Sequence, residues 1–199
     1  MSELRPDLAI IARNVKPGAR VLDIGCGDGA LLDHLVHVKG IDGRGIELSQ
    51  EGVNACVSHG LSVVQGDADT DLADYPDGAF DYAVLSQTLQ ATRAPRELLR
   101  QLVRIAGRAI VSFTNFGHLG IRWRLMVRGR MSAIGENGER WYDTPNIHLC
   151  TILDFLELCA ELDLEIERAV SLSSKGRSSE LAKIGAFANL QSEQGIFLL

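Results

Sequence analysis

RVLDIGCGDG, residues 20–29, is the stretch on which the reading of this chain turns. Its first half, Val21-Leu22-Asp23-Ile24, is an apolar strand-like run. Its second half, Gly25-Cys26-Gly27-Asp28-Gly29, is a glycine turn, and Leu31, Leu32, Leu35 and Val36 then repeat at helical spacing. A strand that passes through glycines into a helix is suited to holding a nucleotide. Glycine lets the backbone approach a ligand closely, and the first turn of a helix presents N–H groups with no partner inside the helix.

Working outward, the first 112 residues alternate between two patterns. Short apolar strands are expected at residues 21–24, 43–47, 61–65, 80–85 and 109–113. Helices are expected at 28–38, at 49–59 with Ser49 as cap and Gly60 as stop, and at 94–105 with Leu98, Leu99, Leu102 and Val103 on one face. Such alternation implies parallel β-α-β units with helices on both faces of the sheet. From 114 to 147 steady periodicity is lost, which reads as an irregular insertion or lid after the fifth strand. Thr151-x-x-Asp154 then opens a helix in capping-box fashion. Residues 164–172 and 196–199 read as two last strands, and 176–179 as a flexible loop. No repeat or linker divides the chain, so residues 1–199 are expected to form one domain.

The 199 residues carry 26 acidic and 20 basic side chains, a net charge of −6, which argues against broad nucleic-acid binding. No apolar run reaches the length of a membrane span, and charged residues near the N-terminus do not resemble a secretory signal. The four cysteines (Cys26, Cys56, Cys150, Cys159) show no metal-ligand spacing. They read as reduced thiols in a cytoplasmic protein.

The glycine run alone also fits a relaxed dinucleotide fingerprint, Gly25-x-Gly27-x-x-Ala30. Three carboxylates narrow the choice. Asp23 sits two residues before Gly25, where it would repel a pyrophosphate but answer a cationic amino group. Glu47 ends the second strand, where a carboxylate can accept bonds from both ribose hydroxyls, as it also can in a dinucleotide site. Asp67, in the Gly66-Asp67-Ala68 step after the third strand, can accept from an adenine amine while the Ala68 N–H reaches a ring nitrogen. Together these residues resemble the cofactor site of the class I S-adenosylmethionine-dependent methyltransferases. That resemblance implies a Rossmann-like α/β fold with a seven-stranded mixed sheet, antiparallel in its last strand. It implies S-adenosylmethionine or S-adenosylhomocysteine as cofactor, held by Asp23, Gly25, Cys26, Gly27, Glu47, Leu48, Asp67, Ala68, Ser86 and Gln87.

The run LSQTLQAT, residues 85–92, follows the fourth strand over the ligand crevice, where its polar residues either line a pocket or cap a helix. Residues 111–151 carry aromatic and polar groups. Asn115, His118, Trp141, Tyr142, Asn146 and His148 read either as a small-substrate pocket, with a histidine as general base, or as fasteners of a lid. Arg124 belongs to a cluster with Arg122, Arg128 and Arg130, which reads as a solvated helix face or as a contact for an acidic partner surface or an acyl-CoA phosphate. No nucleophile–base pair is legible from spacing, so no catalytic residue is assigned.

The runs SFTNFGH (112–118), GRM (129–131) and WYDTPNIHLCT (141–151), with LSQTLQAT, resemble the MetW family of methionine biosynthesis proteins. The resemblance spans nearly the whole chain, with a departure at 132–140. It implies a methyltransferase-like fold and action beside a homoserine O-acyltransferase as partner. On this reading the ligand is a signal that biases partner docking. A genuine small-molecule methyltransferase, and an interaction protein with a vestigial pocket, are the alternatives.

Overall fold

The computed structural model describes residues 4–131, 141–173, 176–181 and 185–199. The departure from the family pattern at 132–140 lies outside the described residues.

Eight strands form one sheet in the order β3-β2-β1-β4-β5-β8-β6-β7. Strands β1 (Arg20–Ile24), β2 (Asp42–Glu47), β3 (Ser62–Gln65), β4 (Tyr82–Ser86) and β5 (Ala109–Thr114) are parallel. Beyond β5 the sheet turns antiparallel through β8 (Gln194–Leu198), β6 (Arg168–Leu172) and β7 (Ser178–Glu180). Alternate residues of each central strand enter opposite cores. Leu22, Ile24, Leu85, Val111 and Phe113 face one, and Val21, Tyr82, Val84 and Ile110 face the other. Burial on both faces is why these strands read as continuous apolar runs.

The helices cover those faces. The first core receives α5 (Pro95–Ile105), through Leu98, Leu99, Leu102 and Ile105, and α7 (Ile152–Glu161). There Phe113, Phe155 and Phe197 form a cluster, with ring centroids 4.8–5.6 Å apart. The second core receives α1 (Pro6–Asn14) and α2 (Ala30–Lys39). The helix ends obey local chemistry. Gly40, in the left-handed region, stops α2. Ser49 accepts from the Gly52 N–H to start α3 (Gln50–Ser58). Thr151 and Asp154 cap α7 reciprocally. A short α4 (Ala68–Asp71) follows β3, and a single 3-10 turn, Leu89–Ala91, follows β4.

The expectation of an α/β sheet with helices on both faces and an antiparallel final strand is met. The sheet has eight strands rather than seven. The extra one is β7, an exposed edge strand that overlaps the expected loop at 176–179 and runs on to Glu180, with Ser179 paired to Ser171. Its serines carry no apolar alternation that would mark a strand. Residues 164–167 do not extend β6 as expected. Asp163 adopts φ +54° and the Leu164 N–H returns to the Cys159 carbonyl, a helix-ending turn. The 114–147 segment is not wholly irregular, because α6 (Leu119–Arg128) runs between a His118 cap and left-handed Gly129. A last helix, α8 (Ala186–Gln191), precedes β8.

Candidate functional site

The turn after β1 is bent by Gly25 and Gly27, at φ +69° and +57°. Its amides are pinned to β2, since the Gly25 N–H donates to the Ile46 carbonyl at 2.8 Å. A Cβ on Gly25 would lie 2.6 Å from Thr88 Oγ1, so only glycine lets the turn meet the loop after β4. Glu47 is fixed by two backbone donors, with Oε2 accepting from the Gly27 N–H and Oε1 from the Ser49 N–H, each at 2.9 Å. A carboxylate has about four lone-pair directions, so about two remain for a ligand.

Asp23 lies behind this turn at 2% exposure, and no side-chain donor meets it among the described residues. Burial, with the nearby Glu47 charge adding to it, pushes its carboxyl up from 3.8 to about 7. The Cys26 side chain turns into the core, 3.9 Å from Cys56 Sγ, and burial pushes both thiols up. Cys26 therefore presents backbone, not thiolate, at the turn.

A cleft of about 340 Å³ opens at the carboxyl ends of β1, β2 and β3. Gly25, Glu47, Leu48, Asp67 and Ala68 line it on one side, and Gln87, Thr88, Ala91 and Thr92 on another. Pro145 and Asn146 reach in from the far segment. Asp67 caps α4 by accepting from the Asp69 N–H, and its Oδ2 meets the Arg93 guanidinium at 2.8 Å. The Arg93 and Ala94 amides both donate to Asp69. Thus Arg93, the cation among the lining residues, is held by an acidic pair. The field of the cleft favours a cationic ligand and opposes a pyrophosphate.

Ser86 ends β4, where its hydroxyl meets Ser112 Oγ at 3.4 Å. Gln87 is held at φ +57°, unusual for a side chain with a Cβ. Its N–H donates to the Ser112 carbonyl, its Oε1 accepts from Thr114 Oγ1, and its buried Nε2 has no partner among the described residues. Such strain persists only where the surroundings impose it, and it gathers at functional sites.

The second group of sequence candidates separates. Only Asn146 lines the cleft. Asn115 is fully buried and ties three elements together: Nδ2 donates to the Asn189 and Ser192 carbonyls, and Oδ1 accepts from the Gly117 and Ile152 amides. His118 Nδ1 caps α6 by accepting from the Gly120 N–H. His148 Nε2 lies 3.3 Å from the Arg93 carbonyl and lines a separate apolar groove. Trp141 and Tyr142 stack edge-to-face and stand exposed, as does Arg124. Gln90, Thr88, Thr92 and Arg93 carry structural weight that the sequence did not isolate. Gln90 is 1% exposed; its carbonyl accepts the Ile147 and His148 amides, and its Nε2 donates to the Thr114 carbonyl. For Arg93 a signal existed, because the carboxylates at 67, 69 and 71 call for a nearby cation.

Five parallel strands continued by an antiparallel group, with a glycine-turn cleft at the carboxyl edge, define a Rossmann-like α/β protein of the methyltransferase type. A solved S-adenosylmethionine-dependent methyltransferase from Thermotoga maritima shares the fold, with a TM-score of 0.70 at 18% identity over 97% of this chain and 86% of that one. Ajmaline N-methyltransferase of Rauvolfia serpentina is 25% identical over 165 residues, 76% of this chain and 54% of its own length. The bifunctional methionine biosynthesis protein MetXA/MetW of Rhodopirellula baltica is 34% identical over 176 residues, 84% of this chain. The chain spans 28% of that relative's length. The model of the methionine biosynthesis protein MetW family matches residues 5–199. The chain belongs to the MetW family.

Among the described residues, no helix is long and apolar enough to cross a membrane, and no group of side chains could hold a metal ion.

Proposed function

We propose that this chain binds S-adenosylmethionine or S-adenosylhomocysteine in the cleft after β1 and acts with a homoserine O-acyltransferase in methionine biosynthesis. One observation carries the ligand reading: among the described residues no cation meets buried Asp23 or fixed Glu47 at the glycine turn. The ammonium group common to both ligands supplies positive charge there, and S-adenosylmethionine adds a sulfonium; an anionic dinucleotide supplies no such charge to this turn. Asp23 would answer the amino group, and the free lone pairs of Glu47 the ribose hydroxyls. Asp67 and the Ala68 amide would hold the adenine edge, with Gly25, Cys26 and Gly27 giving backbone contact and Leu48, Ser86 and Gln87 the remaining wall. When bound, S-adenosylmethionine supplies an activated methyl group.

Neither histidine candidate lines the cleft: His118 caps a helix, and His148 lies against the Arg93 carbonyl and lines the separate groove. This supports the ligand as a signal rather than a methyl donor. The fusion of MetXA with MetW in the Rhodopirellula protein supports the acyltransferase as partner. The test is a titration of the purified chain with S-adenosylmethionine, with and without the purified acyltransferase, while acyl transfer is followed. Reciprocal changes in ligand affinity and complex affinity are expected. Absence of ligand binding would overturn the reading. Ligand binding with unchanged complex affinity and acyl transfer would overturn the signalling role.

A further inference from the structure

Of the sixteen large apolar side chains exposed among the described residues, ten fall between positions 115 and 149. The densest set is on α6, a ten-residue helix with no buried side chain. Leu119, Trp123 and Met126 stand at i, i+4 and i+7, with exposures of 58%, 61% and 71%, and Val127 adjoins them. This is the spacing by which a helix lays an apolar stripe into a groove. The helix is nonetheless built firmly at its ends. His118 caps its start, Arg122 Nε donates to the Gly117 carbonyl at 2.7 Å, and the Gly129 N–H closes its end on the Leu125 carbonyl. Its base is fastened to the segment before α7, where the Phe116 N–H donates to the Cys150 carbonyl. An apolar stripe held in a fixed helix before any partner arrives is preorganised for docking.

Charge says what covers it. Residues 116–131 hold four arginines and no carboxylate, in a chain of net charge −6. Arg124 makes no ion pair among the described residues. At 100° per residue, Arg122 and Arg124 flank the apolar stripe on either side. The matching surface is an apolar groove with an acidic rim. An anionic bilayer would meet the repulsion of the whole chain.

We propose that α6 is the docking helix of this chain. Leu119, Trp123 and Met126 enter an apolar groove on the homoserine O-acyltransferase, and Arg124 meets a carboxylate at its rim. This rests on the partner reading given above. The test measures association of the full chain with the purified acyltransferase by calorimetry, beside its affinity for S-adenosylmethionine. Trp123→Ala with Met126→Ala should weaken the complex about 100-fold, as loss of central anchors does. Arg124→Glu should weaken it about tenfold, less so in about 0.5 M salt. Both variants should bind S-adenosylmethionine within about twofold of the wild type, because α6 does not line the cleft. A double variant that keeps wild-type affinity for the acyltransferase overturns the assignment and leaves the partner reading standing. A wild-type chain that does not bind the acyltransferase overturns both. Binding instead to vesicles of three parts phosphatidylethanolamine to one part phosphatidylglycerol, lost in the double variant, overturns it in favour of a lipid surface.

Discussion

At the scale of single residues, the ligand role proposed for Asp23 is set against stability. Its carboxyl titrates near 7 in the folded chain, against an ordinary value of 3.8. The folded state therefore holds this proton more tightly than the unfolded state does. The contribution to stability falls as pH rises from about 4 to about 7 and stays low above that, a span worth up to about 4 kcal/mol. Asp23→Asn keeps the shape and removes the charge. Urea unfolding should show the variant gaining on the wild type between pH 4 and 8, by up to about 4 kcal/mol; parallel pH profiles would contradict the buried-charge account. Gln87 carries a smaller strain, in φ +57° and an unpartnered buried Nε2. Gln87→Gly relieves both, at the loss of the bond to Thr114, and should stabilise the fold by about 1 kcal/mol. A destabilised variant would show that the side chain, not the surroundings, sustains the turn.

At the scale of elements, Asn115 joins the end of β5, the start of α7 and the end of α8 through four hydrogen bonds in a buried site. Asn115→Ala would take the side-chain partner from the buried Asn189 and Ser192 carbonyls and the Gly117 amide, while the Ile152 amide keeps Asn189 Oδ1. It should cost at least about 3 kcal/mol in urea unfolding; a loss under about 1 kcal/mol would mean that the three elements are held by other contacts. The sequence made the cap and stop of α3 and the cap of α7 legible, because Ser49, Gly60, Thr151 and Asp154 act on neighbours within a few residues. The glycine turn and the ends of β1 and β2 were legible for the same reason. Asn115 was legible only as a pocket residue or a lid fastener, since three of its four partners lie 37 to 77 residues away. Strand β7 was not legible, since its pairing comes from an edge rather than from its own serines. Helix α6 was legible only through its arginine cluster, read as a helix face, because no side chain of it is buried against the core to mark its bounds.

At the scale of the whole molecule, the topology brings distant segments to one cleft. The sheet order places the carboxyl ends of β1, β2 and β3 side by side, and the loop after β4 closes over them. The segment at 145–150 adds Pro145 and Asn146 to the cleft wall, and Gln90 anchors its next two amides. The same segment holds the base of α6 through Cys150. A ligand in the cleft would thus rest on the segment that carries the docking helix. Hydrogen exchange at the Ile147 and His148 amides should slow when S-adenosylmethionine binds. Unchanged exchange at saturating ligand would separate the cleft from the docking helix.

We propose that ionised Asp23 selects the cationic ligand, and calorimetry of S-adenosylmethionine binding at pH 6 and pH 8, for the wild type and Asp23→Asn, checks it. Comparison with the variant cancels titration of the ligand's own amino group. Ionised Asp23 binds the ligand better, so wild-type affinity should rise with pH through about 7, with a proton released on binding at pH 6. The variant should bind at least about tenfold more weakly at pH 8 and lack this protein-derived pH dependence. Equal affinity and equal proton release in the two proteins would contradict the claim.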